Sequence, residues 1–150
     1  MQYEIVTLEE RLAAGVAAKT SNQDPKMGEI IGGLWNRFFN EGVYAGLSGK
    51  ADEKALGIYT DYEGDEKGSF TAMAACAVTT PPGEGVAVCR IPAGRYAKFV
   101  ARGDMHRAVA EAWQEIWKTD LNRSFQCDFE EYQDGNMDEA EIHIYVGLRD

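Results

Sequence analysis

The chain repeats itself, and few folds satisfy that repeat. A shift of 78 residues lays Met27, Ile31, Trp35 and Phe38 onto Met105, Val109, Trp113 and Ile116. A shift of 79 lays Ala14-Gly15-x-x-Ala18-Lys19 onto Ala93-Gly94-x-x-Ala97-Lys98. Two matches in nearly one register point to duplication of a strand–helix–strand–strand unit. One helix cannot cover both faces of its own sheet, so two units side by side put both helices on one side and leave an opposed concave face. The expected fold is α+β: duplicated modules with pseudo-twofold symmetry, an antiparallel sheet with helices on one side, and a ligand cleft between the modules. Module 1 is expected over residues 1–80, a Pro/Gly linker over 79–85 and module 2 over 86–150. The 150 residues suit a single domain with a real core.

Local patterns place the elements. Met27, Ile30, Ile31, Leu34, Trp35, Phe38 and Phe39 form the stripe of an amphipathic helix. Asp24-Pro25 reads as its cap and first residue, and Gly42 as its terminator. Asp104 caps a second helix with Met105, Ala108, Val109, Ala112, Trp113, Ile116 and Trp117 on one face. Strands are expected over 3–8, 12–19 (with a bulge at Gly15), 55–62, 70–79, 86–91, 96–101, 123–132 and 139–148. Residues 43–54 read as loop, and Gly64 to Gly68 and Gln133 to Asn136 as turns.

The last two strands carry the chemistry. Side chains alternate faces along a strand, so Phe125, Cys127 and Phe129 share one face and Gln126, Asp128, Glu130 and Tyr132 the other. In the closing run, Ile142, Ile144, Val146 and Leu148 make an apolar face, with Glu141, His143 and Tyr145 pointing away. Both strands are thus expected to turn carboxylates and a tyrosine to the side opposite the core. Glu130, Tyr132, His143 and Tyr145 would then line one surface. A carboxylate among aromatic rings suits a flat or cationic organic molecule. Parity sends Glu131 with Phe129 toward the helices or an edge, and a bulge would exchange the two glutamates. Trp35 and Trp113 lie on helix stripes, where core packing still allows a ring edge to reach a cleft. Tyr59 and Tyr62 are candidates from the first half.

Composition excludes several classes. A net charge of -10 argues against nucleic-acid binding and favours cationic ligands. Cys76, Cys89 and Cys127 are widely spaced without a CxxC pair, as expected of reduced thiols. With two histidines (His106 reading as solvated) and scattered cysteines, neither a metal nor a cofactor is expected. No Ser/His/Asp arrangement, P-loop or GxGxxG fingerprint is present. The N-terminus lacks the pattern of a signal peptide and no apolar run is long enough to span a membrane, which makes the cytoplasm the expected location.

Four motifs in order resemble the GyrI-like small-molecule-binding domain, the effector-binding domain of AraC-type and multidrug-sensing transcription activators. They are Pro92-Ala93-Gly94-Arg95-Tyr96-Ala97-x-Phe99, Ala112-Trp113-x-x-Ile116-Trp117, Asp128-Phe129-Glu130-Glu131-Tyr132, and Ile142-x-Ile144-Tyr145-Val146-Gly147-Leu148. The resemblance implies that the ligand-contacting glutamate of the family falls on Glu130 and adds Tyr96 from the first motif. His143 stands where the family often has an acid. No helix-turn-helix accompanies these motifs, so the chain looks like a stand-alone form. The expected function is binding of a hydrophobic, cationic or aromatic small molecule by Glu130, Tyr132, Tyr145, His143, Tyr96, Trp113, Trp35 and Tyr59. Two alternatives are implied by relatives. One is hydrolysis of cyclopropane-type electrophiles with Glu130 as general base; the other is a gyrase-inhibitor-like interaction with a protein through the acidic surface.

Overall fold

A computed structural model describes residues 2–64, 68–81, 85–133 and 138–149. Its strands are β1 (Glu4–Leu8), β2 (Arg11–Ser21), β3 (Lys50–Thr60), β4 (Ser69–Val78), β5 (Ala87–Ile91), β6 (Gly94–Gly103), β7 (Arg123–Tyr132) and β8 (Ala140–Leu148). The helices are α1 (Met27–Asn40), the short α2 (Val43–Gly46) and α3 (Met105–Lys118). All strand pairs are antiparallel, in one curled sheet ordered β1-β6-β8-β7-β3-β4-β2-β5, with the three helices on one side.

The order is symmetric about its centre. Outward from the β7–β3 pair it reads β8, β6, β1 on one side and β4, β2, β5 on the other. A pseudo-twofold axis therefore passes between β3 and β7, beside the pair Gly57–Glu130. The first strand of each half crosses over: β1 pairs with β6, and β5 pairs with β2. The halves thus interlock at both edges.

Two layers of core result. On the helix side, Leu34 and Phe38 of α1 pack over Ala14, Val16, Ala72 and Ala74. There too, Ala112 and Ile116 of α3 pack over Phe99, Ile142, Ile144 and Val146. On the opposite face, Leu56, Ile58, Met73, Ile91, Phe129 and Tyr145 form another buried cluster. The face that the sequence leaves free for a ligand is filled by the sheet's own side chains.

Several local readings change for identifiable reasons. Asp104 caps α3 as expected, accepting from the Arg107 N–H at 3.0 Å. Asp24 instead accepts from the Lys26 N–H at 2.8 Å, closing a tight turn, so α1 starts at Met27. Gly42 takes φ 85° and ends α1. Part of the expected 43–54 loop forms α2, which buries Leu47 beside it, and β3 begins at Lys50. Gly15 stays in register with Ala75, without a bulge; a Cβ there would overlap the Ala74 carbonyl. The irregularities fall between Lys50 and Ala55 and between Arg123 and Asp128. The turns expected at Gly64 to Gly68 and Gln133 to Asn136 and the linker expected over 79–85 lie in part outside the described residues. No helix among the described residues is long and apolar enough to cross a membrane.

Candidate functional site

The register of the central strands sets the position of Glu130. It lies opposite Ile144 on β8 and Gly57 on β3. Ile144 belongs to the core under α3, so Glu130 points to the helix side. There α1 packs on β2 and β4, and α3 on β6 and β8, so β7 and β3 run beneath the gap between the two helices. The acid is on the pseudo-twofold axis, at the floor of that gap.

Glu130 is 2% exposed. One carboxylate oxygen, Oε2, accepts from Trp113 Nε1 at 2.6 Å and from the Tyr59 hydroxyl at 3.0 Å. The other, Oε1, accepts from the Tyr132 hydroxyl at 2.8 Å. Burial pushes its pKa above the ordinary glutamate value, and the bonds from Trp113, Tyr132 and Tyr59 pull against that shift without reversing it. Both phenols are held well above their usual range, first by burial and then by the neighbouring glutamate charge. They remain donors at any physiological pH.

Four half-buried rings surround the acid in two symmetric pairs. Trp35 and Trp113 come from equivalent turns of α1 and α3, and Tyr59 and Tyr132 each lie two residues beyond the Gly57–Glu130 pair on their own strands. Trp35 meets Tyr132 edge-on at 5.5 Å, and Trp113 meets Tyr59 edge-on at 5.7 Å. Outside them, Phe39 stacks on Trp35 and Trp117 tilts against Trp113. These outer rings are 49% and 50% exposed, so the aromatic surface runs from solvent down to the carboxylate.

Symmetry is broken at the axis itself, where Gly57 answers Glu130. A Cβ on Gly57 would sit 2.8 Å from Glu130 Oε1 and 3.3 Å from Trp35 Cζ2. The missing side chain lets the carboxylate lie across β3 and reach Tyr59. Sequence reasoning passed over Gly57. Its signal was a glycine inside a strand, which marks close approach of another group.

Of the expected ligand residues, Glu130, Tyr132, Tyr59, Trp113 and Trp35 come together here. Tyr145, His143 and Tyr96 do not. Tyr145 stacks on Phe129 at 4.7 Å on the other face of the sheet. His143 lies opposite Glu131, with Nε2 2.7 Å from Glu141 Oε2. Tyr96 packs on Phe129, and its hydroxyl donates to the Pro92 carbonyl at 2.6 Å. Alternation separates a core face from a wet face only in a sheet buried on one side. With both faces buried, the polar residues of β7 and the apolar residues of β8 share a side.

Glu131 is likewise corrected. It points away from the helices, where Arg11 Nη1 at 3.1 Å and Gln133 Nε2 at 2.9 Å both donate to it. Burial opposes its charge, but Gln133 and Arg11 outweigh that cost and hold its pKa below the usual glutamate value. Asp128 is fully buried on the Glu130 side. It accepts from Arg123 Nη2 at 2.7 Å, the Tyr62 hydroxyl at 2.6 Å and the Gly147 N–H at 2.8 Å. Tyr62, a candidate from sequence, is therefore occupied by Asp128. No group of three or more His, Cys, Asp or Glu side chains among the described residues could hold a metal ion.

A curled eight-stranded antiparallel sheet with helices on one side is the architecture of GyrI-like effector-binding domains. The chain belongs to the Cass2 family of integron-associated effector-binding proteins, whose model matches residues 4–148. The integron cassette protein VCH_CASS2 from the mobile metagenome of Vibrio cholerae is 26% identical. It superposes with a TM-score of 0.80 over 98% of this chain and 95% of that one. SAV2435, solved bound to tetraphenylphosphonium, is 23% identical with a TM-score of 0.81, covering 99% of this chain and 94% of that one. EcmrR, solved in complex with DNA, is 18% identical with a TM-score of 0.62, covering 99% of this chain and 58% of that one. No curated protein matches the chain in sequence.

Proposed function

We propose that this protein is a receptor for lipophilic organic cations, which bind between α1 and α3 with their charge over Glu130. One observation carries the reading: a buried carboxylate is surrounded by aromatic rings and, among the described residues, hydrogen-bonded only by the neutral donors Trp113, Tyr59 and Tyr132. A bound cation would supply a positive charge beside this carboxylate. Because those donors already engage both carboxylate oxygens, the favoured partner attracts the acid through charge and ring contact and needs no N–H groups of its own. The tetraphenylphosphonium ion held by SAV2435 has this chemistry. Trp35 and Trp113 cover the acid from single helices, and outward rotation of either indole would open the way to it. Each cation–π contact is worth about 0.5–2 kcal/mol. Several of them with one carboxylate reach about 8 kcal/mol, a micromolar Kd.

Titration with tetraphenylphosphonium, followed by tryptophan fluorescence, tests this directly. Saturable quenching is expected in the wild type, with strong weakening in Glu130→Gln. The substitution suits the site, since the amide oxygen can replace Oε2 and its nitrogen can donate to Tyr132. Equal affinity in both proteins would remove the carboxylate from the account. The raised pKa of Glu130 also favours the second reading, in which it is the general base of a hydrolase. Turnover of a cyclopropane-type electrophile, abolished by the same substitution, would decide for it.

A further inference from the structure

The two halves differ most in what closes the end of each helix. In the first half, residues 41–49 join α1 to β3 and include α2, which sets Val43, Tyr44 and Leu47 against the core. Tyr44 packs edge-on against Phe38 and tilts against Phe39. In the second half, only residues 119–122 join α3 to β7, and Leu121 is the residue that packs inward. Among the described residues, nothing equivalent to α2 covers this end. A cavity of about 370 Å³ opens there, with Tyr3, Ile5, Leu121 and Leu148 as its apolar wall. Tyr3 and Ile5 are 42% and 46% exposed beside it.

Arg95 and Arg149 line this cavity as well as an adjoining one of about 410 Å³ that runs past Ser124, Gln126 and the Gly147 strand end. Neither arginine forms an ion pair among the described residues. Arg149 uses Nε to donate to the Arg123 carbonyl at 3.1 Å. Asp120 also lines the smaller cavity, leaving one net positive charge among its lining residues in a protein of charge -10. Two guanidinium groups with no ion pair among the described residues, beside an apolar wall, have the composition of a receptor for a molecule with an anionic head and an apolar body.

We infer that the groove between β1, β8 and the α3–β7 connection is a second ligand site, selective for amphipathic organic anions. The anionic group lies between Arg95 and Arg149, and the apolar body replaces the plug that α2 provides in the other half. This site has the opposite charge preference to the Glu130 site and is separate from it.

The probe is anilinonaphthalene sulfonate, an amphipathic anion whose fluorescence rises in apolar surroundings, with decanoate as competitor. One saturable site is expected, displaced by decanoate and weakened by added salt. Arg95→Gln combined with Arg149→Gln removes both charged partners and should weaken binding by about tenfold or more. Both arginines are exposed, so far-UV circular dichroism should be unchanged in this variant, with at most a small drop in thermal midpoint from the lost Arg149–Arg123 hydrogen bond. Tetraphenylphosphonium should leave the dye in place. The inference is overturned by absence of saturable binding, by equal dye affinity in the double variant, or by displacement of the dye by tetraphenylphosphonium.

Discussion

Asp128 and Glu130 stand two residues apart on one face of β7, both buried, and they have opposite surroundings. Asp128 is paired with a cation of the chain itself, Arg123, which is 9% exposed. Tyr62 and the Gly147 N–H complete its bonds, and through Gly147 it ties the irregular start of β7 to β8. Glu130 has rings and neutral donors, and burial keeps its pKa high. Burial of a charge is costly unless it is paired, and at Asp128 the chain provides the pair. At Glu130 it provides only donors. The contrast separates a carboxylate that holds the sheet together from one whose partner, on the proposed function, comes from outside.

The largest effect should come from breaking the internal pair. Asp128→Asn leaves Arg123 buried without its counter-charge and should cost about 3–5 kcal/mol, measured by urea unfolding. Glu130→Gln should do the reverse. An acid with a raised folded-state pKa keeps its proton in the folded chain at pH values where the unfolded chain has released it. Stability therefore falls as pH rises from the ordinary glutamate value toward the raised one, and the glutamine variant should escape that loss. Equal losses of stability in the two variants would erase the distinction between these acids.

Binding gives the next contrast. Glu130→Gln should weaken tetraphenylphosphonium by roughly 2 kcal/mol, about thirtyfold in Kd. Gly57→Ala sharpens the point without touching a charge. Its new methyl meets Glu130 Oε1 and Trp35, so the carboxylate must shift from the axis. About 1–3 kcal/mol of stability should be lost through overpacking, together with a smaller decrease in cation affinity, both measurable on one sample by unfolding and fluorescence titration. The smallest effect is with pH. Cation affinity should decline on acidification as Glu130 takes up its proton, with a midpoint above that of an ordinary glutamate. Uptake of the cation should accordingly release protons near that midpoint, detectable by calorimetry in buffers of different ionisation enthalpy. A flat profile would mean that Glu130 does not set the affinity.

Much of the fold was legible because periodicity is a local property. The stripes of α1 and α3, the Asp104 cap, the Gly42 stop and the last two strands follow from spacing and from backbone preferences that tertiary contacts did not override. The repeat, together with the resemblance that its motifs carry, pointed to two modules and a cleft between them. Of the expected ligand residues, the structure brings Glu130, Trp35, Trp113, Tyr59 and Tyr132 together. Glu130 and Tyr132 do not share a face with His143 and Tyr145; alternation within a strand says nothing of which residue of the next strand lies alongside. The same gap hid the exchange of β1 and β5 between halves and the burial of the far face beneath Leu56, Ile58 and Phe129.

By itself the sequence determined that two similar units would form, each with an aromatic-striped helix and one of them with a run of acids. Those features are written in neighbouring residues and survive any packing that keeps the strands and helices. The tertiary structure alone decided the cross-strand register, and the register decided the site. Pairing Glu130 with Ile144 and Gly57, and not with His143 and Tyr145, moves the carboxylate from a wet surface to the dry floor between two indoles. A one-residue slip would turn it to the other face, which is why its role follows from the strands beside it more than from its own neighbours in the chain.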